Sequence, residues 1–284
     1  MEVKDVAIIG SGPAGISAVL NAKIRNLSYY FFGNKNLSEK VKKSELIENM
    51  PGIASIKGEN LIEAFYDQLN QMEIELLDQQ VTAIYKLKDY YAIYVNQQEY
   101  RAKTLILAMG VESLKPVMNE LTYLGRGVSY CATCDGNLYR DKVIAVVSQN
   151  KAYEHEVNFL ASLAKKVYFF PMYQNSEIQG ANIERLSAMV KRVEGGFFVE
   201  KVVLFNQQEI AVDGIFFLKD AISPTAILQG LQVEQGHIVV DREMKTNLDG
   251  CFAAGDATGR PYQIVKAMGE GNIALHSVID YLNK

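Results

Sequence analysis

The chain has 284 residues, room for about two domains at roughly 150 residues each, and its 29 Lys and Arg against 33 Asp and Glu leave a net charge of −4. That balance, with no long single-sign block, argues against nucleic acid as a partner, while 49% hydrophobic and 22% charged residues exclude disorder and coiled coil. No apolar run approaches the ~20 residues that span a bilayer, no signal-peptide pattern precedes the first strand, and three cysteines are too few for a secreted scaffold, so the reading is a soluble, cytoplasmic protein.

Val3 to Ile9 is a short β-branched run that ends in a glycine cluster, and Pro13 to Arg25 carries apolar residues at helical spacing. With a second strand from Leu27 to Phe32 this predicts a βαβ unit. Gly58 to Met72 reads as an amphipathic helix. From Ile74 to Met109 the pattern changes to short segments, Ala83 to Tyr85, Tyr91 to Val95 and Thr104 to Met109, typical of antiparallel strands. A second series follows: strand Lys142 to Val147, helix Tyr153 to Ala164, strand Lys166 to Pro171, then alternating strands from Gly196 to Lys219. Cys251 to Ala254 reads as a buried strand and Gln263 to Leu282 as the last helix. The expected fold class is α/β, with two doubly wound FAD/NAD(P)-binding-like domains, the second inserted in the first. The boundaries are set at 1–114 with 245–284 for the parent and 115–244 for the insert.

Gly10-Ser11-Gly12-Pro13-Ala14-Gly15 follows a strand and opens a helix. Gly10 permits the tight turn, Gly12 lets backbone approach a pyrophosphate, and Gly15 allows close helix–strand packing. The helix N-terminus then offers free N–H groups to phosphate, and dinucleotide binding is the expectation. The acidic residue that holds a ribose at the end of the second strand is missing; Phe31-Phe32-Gly33-Asn34 stands there.

Cys131-Ala132-Thr133-Cys134-Asp135 is a Cys-X-X-Cys beside a dinucleotide fold. The spacing can close a disulfide and can lower one thiol's pKa. Structural zinc would want two more ligands at similar spacing, which Cys251 and the separated His155, His237 and His276 do not supply. The reading is a redox dithiol and no metal. Cys251 lies in an apolar strand and reads as core, and the histidines are assigned no role.

Joined together, these pieces resemble the low-molecular-weight thioredoxin reductase family nearly end to end. Gly10 to Gly15 is similar to its FAD pyrophosphate loop, Glu48-Asn49-Met50-Pro51-Gly52 to its E-N-x-P-G segment, and Leu107-Ala108-Met109-Gly110 to its A-T-G signature. Gly127 to Gly136 resembles the redox-active segment, and Gly250 to Asp256 the G-x-F-A-A-G-D motif, with Gln263-Ile264 opening the last helix. The resemblance implies FAD as cofactor, thioredoxin as electron acceptor and a homodimer. It implies catalytic roles for Cys134 as the flavin-proximal thiol, Cys131 as the outer thiol that attacks the partner disulfide, and Asp135 as proton donor and acceptor. The implied cofactor-binding set is Gly10, Ser11, Gly12, Pro13, Ala14, Gly15, Asn49, Val81, Ala108, Met109, Gly110, Gly255, Asp256, Gln263 and Ile264.

The insert departs from the family. Its G-G-G-x-x-A becomes Ser148-Gln149-Asn150-Lys151-Ala152-Tyr153, and its H-R-R-x-x-x-R becomes Phe169-Phe170-Pro171-Met172-Tyr173-Gln174-Asn175. Without the glycines a pyrophosphate cannot approach, and without the arginines no fork grips the 2′-phosphate. The resemblance therefore narrows to the ferredoxin-dependent flavin thioredoxin reductases, in which reduced ferredoxin is the donor in place of NADPH. Lys35, Lys40, Lys42 and Lys43, or Lys165-Lys166, are the basic clusters that could steer an acidic partner. The family's Gly-Gly-Gln loop is replaced by Gly33 to Ser38, and Tyr262 stands where an arginine often precedes the glutamine. Two further readings stand beside this one: a flavin disulfide oxidoreductase of the same ancestry with another non-NADPH donor or acceptor, and a flavin-binding sensor or scaffold without turnover.

Overall fold

The chain begins with β1 (Val3–Ile9), α1 (Pro13–Ile24) and β2 (Tyr29–Gly33), the βαβ unit expected from the sequence. In the computed structural model residues 2–95, 98–111, 116–219 and 224–283 are described, the side chain of Cys134 excepted. Pro13 starts α1 at a position where its fixed φ suits the helix and its missing N–H is no loss. After β2 come α2 (Glu39–Lys42), α3 (Gly58–Gln71), β3 (Leu77–Asp78), β4 (Ala83–Lys86), β5 (Tyr91–Val95) and β6 (Gln98–Leu107). α3 buries Leu61, Ile62, Phe65 and Leu69 on one face, as its 3.6-residue spacing requires.

The insert follows with β7 (Val128–Ser129), α4 (Ala132–Asp135), β8 (Val143–Ser148), α5 (Glu154–Leu163), β9 (Lys166–Pro171) and β10 (Ile183–Arg185). Then come β11 (Val190–Gly195), β12 (Val199–Leu204), β13 (Glu209–Ala211), β14 (Gly214–Leu218) and α6 (Pro224–Ile227). The chain ends with β15 (Val233–Glu234), β16 (His237–Ile238), β17 (Cys251–Ala253) and α7 (Ile264–Leu282). Among the described residues no helix is long and apolar enough to cross a membrane.

Two units result, Met1–Val111 with Ile227–Lys284, and Glu112–Ala226. The expected first junction, 114/115, lies outside the described residues. The second lies at 226/227, where the sequence reading set 244/245, because the intervening segment packs on the first unit. Leu228 bridges Ile84, and Met244 joins the core with Phe252.

In the first unit β3, β2, β1 and β6 run parallel. β6 differs from its expected antiparallel role. It pairs antiparallel with β5 over Gln98–Ala102, but parallel with β1, and its end runs parallel to β17. Ile9 therefore stands between Phe32 and Leu107, and the chain leaves β1 and β6 at the same sheet edge. The core lies between this sheet and the helices, with Ile8, Phe31, Ile106, Phe252 and Leu275 buried. In the second unit a parallel sheet of order β10-β9-β8-β14-β7 and a three-stranded antiparallel sheet, β11-β12-β13, are formed. Ile144, Val146, Val167, Phe169 and Phe216 of the parallel sheet pack with Val157 and Leu160 of α5.

α1 and α7 touch backbone to backbone: a Cβ on Gly271 would stand 2.1 Å from the Ala14 carbonyl oxygen. Gly271→Ala is expected to destabilise the first unit by ~1–3 kcal/mol through overpacking, read as a lowered thermal unfolding midpoint by circular dichroism.

Candidate cofactor and redox sites

Gly10 leaves β1 with φ +116°, and its N–H donates to Phe32 O at 2.8 Å. A Cβ on Gly10 would meet Ala108 O at 2.2 Å, and one on Gly15 would meet Gly10 O at 1.8 Å. The turn is thus pressed against the end of β6, where Ala108, Met109 and Gly110 follow. Gly12 is the N-cap of α1, extended and without a side-chain cap, and a Cβ there would meet no atom within 4 Å. No acidic side chain lies in the first turn. Its free amides and dipole suit a pyrophosphate, so the loop fits FAD. Ser11 turns the other way: its Oγ accepts from Asn34 N–H at 2.9 Å and lies 3.0 and 3.1 Å from the Asn34 and Leu37 carbonyls. Asn34, at the expected acidic position, accepts from Asn36 N–H at 2.7 Å and so faces its own loop.

A turn of 3-10 helix, Gly255–Thr258, follows β17. Gly255 has φ +83°, and a Cβ on it would stand 2.9 Å from the Ala14 Cβ, so the turn abuts the start of α1. Glu270 accepts from Gly255 N–H and the Thr258 hydroxyl, each at 2.8 Å. Lys266 pairs with Glu270 and donates to the carbonyls of Gly255 (2.7 Å) and Gly259 (2.8 Å). These bonds fix the backbone that presents Asp256. Asn49 Nδ2 donates to Gln263 Oε1 at 2.6 Å, joining the E-N-x-P-G segment to the residue before α7. Residues 48–54 line an open concavity of about 520 Å³. Ile264 opens α7 half-buried, whereas Val81 is 3% exposed and belongs to the core.

Three residues here were assigned no cofactor role from sequence. Lys40 Nζ lies 2.6 Å from Asp256 Oδ2 and 4.8 Å from the centre of the Tyr262 ring. The Tyr262 hydroxyl lies 2.6 Å from His237 Nε2. The lysine was noted only as part of a basic cluster, and the sequence separation of 216 between Lys40 and Asp256 hides the pairing from any local pattern. In the other cluster Lys166 pairs with Glu184 at 2.7 Å.

In the second unit Cys131 stands between β7 and α4, 8% exposed and disulfide-bonded. Cys134 lies within α4; its side chain is outside the described residues. Ser129 Oγ donates to Asp135 Oδ2 at 2.7 Å and accepts from Cys131 N–H at 3.1 Å, which orients the carboxylate beside the cysteine segment. Behind the neighbouring Tyr130, a buried ion pair joins Lys219 Nζ to Glu120 Oε1 at 2.7 Å, and the Tyr130 hydroxyl donates to the same oxygen at 2.6 Å. Sequence gave no sign of this pair, since Glu120 and Lys219 are 99 residues apart.

The segments expected to have lost a nucleotide site are bonded to one another. Ser148 is fully buried, and Asn150 Oδ1 accepts from Ala152 N–H at 2.8 Å, capping a 3-10 turn at Lys151–Tyr153. Glu154 Oε1 accepts from the Tyr173 hydroxyl at 2.9 Å and from Glu177 N–H at 3.2 Å. Burial, with this bond second, pushes the Tyr173 hydroxyl up to about 12. Lys151 pairs with Glu177 at 2.7 Å. Phe169 and Phe170 are buried in the core. Glu154 and Glu156 both occupy the first turn of α5, the end at which a phosphate would otherwise rest.

Cys251 is free and 1% exposed, and burial pushes its thiol up to about 12. Iodoacetamide at pH 8 is expected to leave Cys251 unmodified in the native protein and to label it only after unfolding, read by peptide mass spectrometry.

Residues 4–147 and 173–271 match the pyridine nucleotide-disulphide oxidoreductase family, and the unmatched stretch between them contains Ser148 to Tyr153. The chain is 31% identical over 301 residues to a thioredoxin reductase of Mycoplasma pneumoniae, covering 99% of this chain and 96% of that one. A crystal structure of a ferredoxin-flavin thioredoxin reductase from Clostridium acetobutylicum superposes with a TM-score of 0.93 at 43% identity, over 100% of this chain and 98% of that one. A thioredoxin reductase from Gloeobacter violaceus superposes with a TM-score of 0.81 at 26% identity, over 99% and 94%. With its glycine turn, its G-x-F-A-A-G-D turn and a disulfide-bonded Cys131, this chain belongs to the pyridine nucleotide-disulphide oxidoreductase family as a flavin disulfide reductase of the thioredoxin reductase type.

Proposed function

We propose that the protein reduces thioredoxin with electrons taken from reduced ferredoxin instead of NADPH. The observation that carries this reading is the bond between Glu154 and Tyr173, with Lys151–Glu177 beside it. The first bond ties the start of α5 to the segment after β9, the two stretches that carry the nucleotide motifs in the family, and Glu154 sets a carboxylate at the helix end on which a phosphate would rest. A pyrophosphate there would meet the like charge of Glu154 and would have to break its bond to Tyr173. The 43% identical Clostridium protein, a ferredoxin-flavin thioredoxin reductase, supports the same donor.

Gly10 to Gly15 would hold the pyrophosphate of FAD at the start of α1, and Gly255-Asp256 and Gln263-Ile264 would complete the site with Asn49 and Ala108 to Gly110. The chemistry FAD would supply there is one-electron acceptance from an iron–sulfur carrier and two-electron reduction of a disulfide. Cys131 and Cys134 form that disulfide. Its reduction takes two electrons and two protons and yields two thiols. Asp135, oriented by Ser129, gives and takes a proton at the cysteine sulfurs. Cys131 as thiolate attacks one sulfur of the thioredoxin disulfide, and Cys134 then displaces the reduced thioredoxin, re-forming the disulfide within this chain.

Anaerobic mixing tests the donor. Reduced ferredoxin is expected to bleach the flavin absorbance while NADPH leaves it unchanged; rapid bleaching by NADPH would overturn the reading. Asp135→Asn is expected to slow thioredoxin reduction by ~10²–10⁴-fold, and Cys134→Ser to abolish it, in single-turnover assays with reduced ferredoxin.

A further inference from the structure

The helix that follows the replaced loop and the tyrosine before Gln263, a second departure in the flavin unit, meet at one side chain. Lys40 opens outward from α2, its side chain 63% exposed, with its ammonium 2.6 Å from Asp256 Oδ2 and over the Tyr262 ring at 4.8 Å. An exposed lysine seldom holds one position for a single carboxylate, because side-chain entropy and water oppose the pair. Here the ring gives the cation a second partner. The ring is itself held: its hydroxyl is bonded to His237, and the Arg260 guanidinium lies 5.4 Å from its centre.

The place to which Lys40 is brought has an electrostatic need. Asp256 follows Gly255, which abuts Ala14 in the first turn of α1. A pyrophosphate on that helix end adds negative charge beside the Asp256 carboxylate. The glycine turn carries no basic side chain, and the partial charge of a helix end does not neutralise a diphosphate. Lys266 is already committed to Glu270 and the carbonyls of the turn.

We propose that Lys40 is a cofactor-binding residue whose ammonium, set by Asp256 and the Tyr262 ring, neutralises the FAD pyrophosphate, and that Tyr262 is the positioning residue for it. The inference rests on the flavoprotein reading above and is independent of the electron donor. It gives the Tyr262 replacement a purpose, since an arginine there would repel Lys40 where an aromatic ring attracts it.

The test is FAD release from the purified holoenzyme on dilution, followed by flavin fluorescence at low and high salt. Lys40→Met is expected to weaken FAD binding on the order of tenfold to a hundredfold at low salt and to flatten its salt dependence. Lys40→Arg should retain most of the affinity. Tyr262→Ala should weaken binding in the same direction and add little to Lys40→Met, whereas Tyr262→Phe, which keeps the ring, should stay near wild type. Lys42→Met, an exposed neighbour on α2, should change affinity less than twofold. Wild-type affinity in Lys40→Met, additive effects in the double variant, or an equal loss in Lys42→Met would each overturn the proposal. A wild-type protein that carries no flavin would instead overturn the flavoprotein assignment.

Discussion

At the first turn of α1, backbone packs on backbone. Gly10 lies against Ala108, Gly15 over Gly10, Gly271 against the Ala14 carbonyl and Gly255 against the Ala14 side chain. The ends of β1, β6 and β17 and the middle of α7 converge there with almost no side chain between them. Their separations are set by main-chain atoms, which do not choose among rotamers. The amides of α1, the Asp256 turn and the 108–110 wall therefore hold fixed positions without cofactor contacts to place them. The Lys266–Glu270 pair completes this by tying the 3-10 turn to the helix that carries both residues.

The insert separates scaffold from site. Its β8–α5–β9 layer is held by Ile144, Val146, Val157, Leu160, Val167 and Phe169, all buried in one core. Glycines that admit a phosphate contribute little to such a core, so replacing them leaves its burial intact and adds local bonds such as the Asn150 cap. Glu154 and Glu156 lie in the first turn of α5, at the positive end of its helix dipole. The packing of the insert thus rests on residues outside its β8–α5 turn.

The βαβ start was legible because Val3 to Ile9 and Pro13 to Ile24 carry their periods in contiguous residues, and β9 matched its expected span. The partners of β6 were not legible, because a strand serving three neighbours reads the same whichever way they run. The return point at Ile227 was missed since β15 and β16 have two residues each, too short for any alternation. At the sites, the glycine turn and the Cys-X-X-Cys were legible as compact motifs. The lysine, tyrosine and histidine around Asp256 were not, because α2 is a single turn of four residues and its partner lies more than two hundred residues on.

The buried pair of Glu120 and Lys219 stands near both ends of the insert, one residue close to where the chain enters it and the other close to where it leaves. An ion pair so shielded from water is costly to separate, so these two points of the chain stay together. The insert is then closed on itself between Glu120 and Lys219. Closing a loop costs entropy according to the span its own chain must bridge, and here that span has been settled inside the insert. The chain that the pair encloses, 99 residues from one partner to the other, then adds no loop of its own length to the folding of the parent.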